Sequence, residues 1–200
     1  RFDDMMPTAW EETNGTSLTT GLTTVAGVGT TQNIEWSLPA DMLPEGMSAH
    51  IAVTPRAGAG VTNDKASSGD TGTSGGGYDI ALSHNALVDG LNIFAGRSII
   101  EQDANVGVGA SGDRTQYVYG ATYAIGSVTL GYQESRDNLQ ATGVGAVTSY
   151  YSNKAFGVSF NVNDNLSLSY GNHKSDRNLN SGGSVELEAE SLQLAYTMGG

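Results

Sequence analysis

The residues best able to act on charged or polar molecules lie at the start of the chain. Four carboxylates cluster there, with only Arg1 to offset them: Asp3, Asp4, Glu11 and Glu12. Fixed acidic groups in a confined space create a negative potential, which attracts cations and orients polar solutes. The same cluster is equally typical of a loop that water solvates. Both interpretations stay open for this stretch taken alone.

Patterns for catalysis or metal binding are weak elsewhere in the chain. His84 and His173 have no carboxylate at a fixed helical spacing, which argues against a metal site. Residues 107–112, GVGASG, imitate a nucleotide-binding glycine pattern without the helix that should follow, so a flexible loop is the better interpretation. We therefore predict that the protein is not an enzyme, with no catalytic residues and no cofactor.

Composition narrows the class of protein. The 200 residues carry a net charge of -12 and a pI near 4.4, which argues against binding to the phosphates of nucleic acid. The absence of cysteine excludes disulfides and thiolate metal sites. No apolar run reaches the ~20 residues that a membrane helix needs, whereas a barrel of alternating strands is not excluded. Taken alone, this composition favours a soluble all-β protein.

Apolar and polar residues alternate with a period of two from residue 32 onward, which predicts β-strands. One face carries large apolar residues such as Ile34 and Trp36, and the other carries small uncharged polar residues. A soluble sandwich would put charged residues on its outer face, whereas this pattern suits lipid on one side and a water-filled lumen on the other. We predict nine strands, at residues 32–38, 47–56, 78–83, 91–98, 116–123, 128–133, 156–162, 166–171 and 192–198.

The connections between these strands alternate between short and long. The short ones are predicted at 40–46, 85–90, 125–127 and 163–165, and the long ones at 57–77, 99–113, 137–147 and 176–188. This rhythm is typical of an antiparallel up-and-down transmembrane β-barrel, and Tyr132 and Tyr170 suit an aromatic girdle at its rim. Arg97, Arg136 and Lys174 fall on the apolar face, so either they lie beyond the lipid band or a bulge shifts their register.

The opening RFDDMMPTAWEE (residues 1–12) and the closing LAYTMGG (residues 194–200), together with the strand pattern, resemble the alphaproteobacterial general porins of the Rhodobacter type. The resemblance implies an outer-membrane porin of about 16 strands, through which small hydrophilic solutes and ions diffuse passively. It also implies a homotrimer in a Gram-negative outer membrane, exported through the periplasm and surrounded by lipid bilayer and lipopolysaccharide. An odd strand count does not close a single-chain bacterial barrel, so we expect an internal segment of a longer protein.

The resemblance divides the chain into two parts. Residues 1–30 correspond to a constriction loop folded into the pore, and residues 31–200 to membrane strands with short periplasmic turns and long extracellular loops. The four acids of the loop would face basic groups on the barrel wall, where strand parity places His50 and Arg56 toward the lumen. A weaker option is Ca²⁺ bound in the loops, where it would bridge lipopolysaccharide phosphates, with three candidate ligands: Asp64, Asp70 and Asp113.

Two other classes of protein compete with the porin. A secreted or surface-exposed all-β adhesin or passenger domain would share the strands, but its simplest form, a solenoid, requires a fixed repeat period that these strands lack. A small closed membrane barrel acting as an enzyme or an anchor would need an even strand count and a Ser/His/acid site. Neither feature is visible in the sequence.

Overall fold

The structure, a computed structural model, describes residues 25, 27–28, 33–55, 74–102, 112–140 and 147–197. In these ranges the fold is all-β, apart from a single 3₁₀ turn at Ala40–Met42, and no helix there is long and apolar enough to span a membrane. The strands are β1 Ile34–Ser37, β2 Met47–Thr54, β3 Ser74–His84, β4 Leu91–Gln102, β5 Arg114–Ile125, β6 Val128–Asn138, β7 Thr148–Asn163, β8 Leu166–Leu179 and β9 Ser184–Tyr196.

The nine strands form one antiparallel sheet whose order follows the chain from β1 to β9. This is the up-and-down arrangement that the alternation predicted, so the prediction of an all-β antiparallel fold with nine strands is confirmed. Antiparallel neighbours need little chain to connect them, which is why local patterns were enough to predict the order. Within the described ranges, β1 and β9 each pair on one side and form the two edges of the sheet.

The register confirms the predicted assignment of residues to the two faces. Trp36 pairs with Ile51, which in turn pairs with Ile80, so large apolar residues gather on one face, the outer face. Ile34 and Leu192 on this face are 79% exposed, and soluble monomers rarely expose contiguous apolar surface of this kind. The exposed apolar residues of the outer face form the apolar band: Ile34, Trp36, Val53, Tyr78, Ile80, Leu82, Ile93, Tyr117, Tyr119, Leu130, Tyr132, Phe156, Phe160, Leu168, Leu192, Leu194 and Tyr196.

Several strands are longer than predicted at the end where the long connections lie. β7 begins at Thr148 rather than at residue 156, and β9 begins at Ser184 rather than at residue 192. The long connection predicted at 176–188 was wrong, because β8 continues to Leu179 and a turn at 180–183 follows directly. On the outer face of these strands, polar and charged residues replace the apolar ones before the backbone pairing ends.

Short turns connect the strands at the opposite end of the sheet. In the β7–β8 turn, Asn163 Oδ1 accepts a hydrogen bond from the backbone N–H of Asn165 at 2.9 Å, as predicted for an Asx turn. Before β4, Gly90 has a φ of +78°, and a Cβ there would lie 2.3 Å from the carbonyl oxygen of Ala124. Since only glycine fits that position, the turn residues help to set the register of the strands that follow.

Candidate functional site

Four buried polar residues lie side by side on the face opposite the apolar band, the inner face. They occupy adjacent strands and form the polar row: Asp79 on β3, Ser98 on β4, Gln116 on β5 and Asp137 on β6. Each is the direct register partner of the next, and all four are at most 4% exposed. Buried carboxylates and amides require hydrogen-bond partners, so the partners of the row define the site.

Backbone N–H groups near the start of the chain supply partners for two members of the row. Val28 N donates to both carboxylate oxygens of Asp79, at 2.9 and 3.1 Å, and Gly27 N donates to Gln116 Oε1 at 2.8 Å. The paired residues are 51 and 89 positions apart in the chain. These bonds therefore hold a distant part of the chain against the inner face.

Apolar contacts strengthen the same attachment. Val25 is buried in one inner-face cluster, together with Phe94, Val118 and Ala155. Val28 is buried in a second cluster, together with Ala52 and Ile100. A Cβ at Gly77 would lie 3.1 Å from Val28 Cγ1 and 2.9 Å from the carbonyl oxygen of Ile99, so the glycine leaves room for Val28. Val25, Gly27 and Val28 form the inward segment.

Asp137, at the far end of the polar row, pairs with Arg114. Arg114 Nε donates to Asp137 Oδ1 at 2.8 Å and Nη2 donates to Oδ2, which makes the ion pair bidentate. The Asp137 side chain is fully buried, whereas the Arg114 side chain is 34% exposed. A buried carboxylate without such a partner would be costly. The row thus holds two carboxylates, one matched by backbone donors and the other by a guanidinium.

Small polar residues and glycines line the inner face toward the short turns. Asn153 Nδ2 donates to Ser135 Oγ at 3.1 Å. Gln133 Oε1 and Asn153 Oδ1 are buried and have no hydrogen-bond partner among the residues described. Three directly paired glycines follow on β6, β7 and β8: Gly131, Gly157 and Gly171. This part of the inner face is therefore polar and carries little side-chain bulk.

Tyrosines on the outer face contact charged groups at the end of the apolar band nearest the long connections. The hydroxyls of Tyr119 and Tyr132 both donate to Glu134, the first at 2.7 Å. The guanidinium of Arg136 lies 3.6 Å from the ring centroid of Tyr150. Rings that present their hydroxyls to charged groups are typical of a membrane interface.

No bulge accounts for the basic residues that parity placed on the apolar face. The strand pairing shows no register shift at any of the three: Arg97, Arg136 and Lys174. Arg136 and Lys174 lie beyond the apolar residues of their own strands. Arg97, in contrast, faces outward between Ile80 and Tyr117, which both belong to the apolar band, so its position matches neither alternative. The alternative of a bulge at these positions was wrong.

The residues predicted to form the constriction fall only partly within the described chain. His50 lies on the inner face, as parity predicted, and its Nδ1 is 2.8 Å from Ser37 Oγ. The division at residue 30 stays a prediction, and these predicted site residues lie outside the described residues: Asp3, Asp4, Glu11, Glu12, Arg56, Asp64 and Asp70. Asp113 is exposed, and the described residues contain no cluster of three potential metal ligands.

The polar row was not predicted as a site from the sequence. Alternation placed Asp79 and Gln116 on the polar face, but no local pattern marked them as partners of residues 27–28. One signal was available, because Asp79 is a carboxylate within a strand on a face whose other members are mostly uncharged. Such a residue needs a specific partner once it is buried.

Comparison with solved structures finds chains that are similar to this one. No family model and no curated protein matches the chain. The chain is similar to the crystal structure of the outer membrane channel DcaP of Acinetobacter baumannii, with 11% sequence identity and a TM-score of 0.49. The match covers 82% of this chain and 61% of DcaP, so the chain spans about three-fifths of the length of that protein. Membership of the alphaproteobacterial general porins stays a prediction.

Proposed function

We propose that the chain forms part of the wall of an outer-membrane porin, a water-filled channel through which small hydrophilic solutes and ions diffuse passively. The observation that carries the proposal is the apolar band, which is exposed on an up-and-down antiparallel sheet. Side chains such as Trp36 and Leu192 are stable against lipid and unfavourable in water. The polar inner face would line the lumen.

The order of residues along β6 supports placement at a membrane interface. Its outward side chains run from Val128 and Leu130 through Tyr132 to Glu134 and Arg136. This change from apolar to aromatic to charged is the order expected across the edge of a hydrocarbon layer. A secreted adhesin in water is less well supported, because its apolar band would need a cover.

The inward segment supports a narrowed channel. Three hydrogen bonds from Gly27 and Val28, together with the burial of Val25, fix this segment to the wall that would face the lumen. We infer that it belongs to a constriction formed by residues 1–30. In this proposal the acidic side chains of that loop bias ion flow by their transverse field, opposite His50 and Arg56. The four acids are Asp3, Asp4, Glu11 and Glu12.

The proposal extends to the assembled protein. The edge strands β1 and β9 would pair with further strands to complete a barrel of about 16, since an open edge invites pairing with other chains. The porin would be a homotrimer in a Gram-negative outer membrane, in contact with phospholipid and lipopolysaccharide after export through the periplasm. No catalysis is expected of it.

Solute entry into proteoliposomes tests the proposal. We expect vesicles that contain the folded protein to admit small sugars, at rates that fall as the sugar becomes larger, while vesicles without protein stay sealed. Vesicles that remain impermeable, although circular dichroism shows folded β-structure in their bilayer, would contradict a diffusion channel.

Ion selectivity tests the constriction separately. Neutralising the four acids together should lower the preference for cations, measured as the reversal potential across a salt gradient. The variant carries Asp3→Asn, Asp4→Asn, Glu11→Gln and Glu12→Gln. A matched control neutralises four other acids, Asp41→Asn, Glu45→Gln, Asp89→Asn and Asp164→Asn, which lie at or near the short turns. Equal shifts of the reversal potential in the two variants would mean that the four acids do not form part of the constriction.

A further inference from the structure

The line of register partners that contains the polar row continues across β7, β8 and β9 on the inner face. Tyr151 on β7 is the register partner of Asp137, and Arg177 on β8 is the partner of Tyr151. Val185 on β9 follows as the partner of Arg177. Direct partners have Cα atoms about 4.5–5.5 Å apart, so the phenol, the guanidinium and the isopropyl group lie side by side.

The positive charge of Arg177 is not balanced by an acid on the same face. Its Nε donates to Thr148 Oγ1 at 2.6 Å, which orients the guanidinium and leaves both Nη groups outside that bond. Arg177 belongs to none of the ion pairs between described residues, and the carboxylate of Asp137 is already paired with Arg114. The acids of β8 and β9 lie on the outer face: Asp176, Glu186, Glu188 and Glu190.

Two apolar side chains lie beside Arg177, although most other inner-face residues of β8 and β9 are small or polar. Val185 is its partner, and Leu187 is the partner of Ser175, two residues before Arg177. They are 56% and 42% exposed. Covering such groups with an apolar part of a ligand is favourable in proportion to the area removed from water. The cationic, phenolic and apolar groups together form the inner subsite: Tyr151, Arg177, Val185 and Leu187.

We propose that the inner subsite binds an organic anion that joins a carboxylate to an apolar body. This inference rests on the proposed function, because in a channel the inner face meets the passing solutes. A carboxylate matches the planar fork of the Arg177 guanidinium, and the Tyr151 hydroxyl supplies a further donor. An apolar body attached to that carboxylate would lie against Val185 on the neighbouring strand. The protein, with a net charge of -12, would otherwise repel an anion.

Titration of the full protein in detergent micelles with small ligands, followed by saturation-transfer NMR, tests the proposal. The probes are benzoate, acetate, which lacks the apolar body, and benzyl alcohol, which lacks the charge. Micelles without protein give the background. Benzoate should bind more tightly than either of the other two, because it alone satisfies both halves of the inner subsite.

Substitutions test the two halves separately. Arg177→Gln should weaken benzoate binding about fivefold, as expected for an exposed ion pair, and Arg177→Lys, which keeps the charge, should weaken it less. Val185→Ser should weaken the binding of benzoate and leave that of acetate unchanged. The matched control Arg136→Gln removes the same charge from the outer face of β6, and it should leave the affinity for benzoate unchanged. Circular dichroism checks that each variant is folded.

Any of four results would overturn the proposal. They are equal weakening by Arg136→Gln, benzyl alcohol that binds as tightly as benzoate, acetate that binds as tightly as benzoate, and an affinity for benzoate that Val185→Ser leaves unchanged. If Arg177→Gln does not fold, Arg177→Lys and Val185→Ser still decide the outcome. Because the titration does not measure conduction, a protein that conducts but does not bind benzoate would refute the inner subsite and leave the channel standing.

Discussion

Asp79 on β3 accepts hydrogen bonds from the backbone N–H of Val28 with both of its carboxylate oxygens, at 2.9 and 3.1 Å. Both residues are buried, and they lie 51 positions apart in the chain. The contact fixes the inward segment to the inner face, next to the space that Gly77 leaves open. In the proposed channel, this contact determines how closely the segment follows the wall of the lumen.

Removing the Asp79 carboxylate should loosen the inward segment. In Asp79→Ala the buried N–H of Val28 loses its hydrogen bonds to the carboxylate, and we expect the free energy of unfolding to fall by about 1.5–3 kcal/mol, the range for a hydrogen bond to a charged group. Single-channel conductance should rise as the segment moves from its place. Urea unfolding and bilayer recording measure the two effects. Asp113→Ala, which removes an exposed carboxylate outside the polar row, should change neither.

Adding one methyl group at Gly77 tests the packing of Val28 without changing charge. The new Cβ would lie 3.1 Å from Val28 Cγ1 and 2.9 Å from a backbone oxygen, so Gly77→Ala should destabilise the fold by about 1–3 kcal/mol, as overpacking does. Gly131→Ala is the matched control, because its Cβ would meet only Thr122 Cγ2 at 3.7 Å. Similar losses of unfolding free energy in both variants would mean that Gly77 has no special role.

Breaking the Arg114–Asp137 pair should lower the free energy of unfolding more than replacing both residues by apolar ones. Asp137→Ala leaves the guanidinium without its carboxylate, and we expect a loss of about 3 kcal/mol in unfolding free energy, the lower end for a broken buried pair because Arg114 keeps some solvent. The double variant Arg114→Met with Asp137→Leu should lose less than Asp137→Ala alone. A double variant that loses the sum of the effects of Arg114→Met alone and Asp137→Leu alone would show that the pair is not coupled.

A charge introduced into the apolar band distinguishes a membrane sheet from a soluble one. Leu168 lies between Phe160 and Leu194 on the outer face. In lipid, Leu168→Arg should cost about 2–4 kcal/mol of folding free energy if it lies near the bilayer midplane, whereas Ser169→Arg on the inner face of the same strand should cost much less. Folding into lipid vesicles, followed by urea titration, measures both. Equal tolerance of the two arginines would argue for water on both faces.

The sheet was predicted well because the features that specify it lie close together in the chain. Each strand alternates with a period of two and most connections are short, so face and order follow from neighbouring residues, as for Ile51 and Ile80. Strand ends were predicted less well. Glu186, Glu188 and Glu190 continue the outer face of β9, while Val185 and Leu187 lie on its inner face, so the apolar face changes side within the strand. The pairing of this part of β9 with β8 became visible only in the structure.

The site was beyond sequence reasoning for a different reason. The bond between Gly27 N and Gln116 Oε1 joins residues 89 positions apart, and nothing in the local pattern of either residue encodes it. Likewise, the alternation placed Asp79 on the inner face without indicating that it is 4% exposed. Burial of a polar residue depends on what covers it, and that is a property of the whole fold.

Single-channel recording of the detergent-extracted protein in a planar lipid bilayer tests whether the protein forms a channel. We expect stepwise, long-lived openings, in groups of three for a trimer, with a conductance that rises in Asp79→Ala. A bilayer that stays silent while the protein is folded and inserted would contradict the channel. The sheet would then belong to a plugged barrel or a surface adhesin, and the inward segment would pack against the sheet without narrowing a channel.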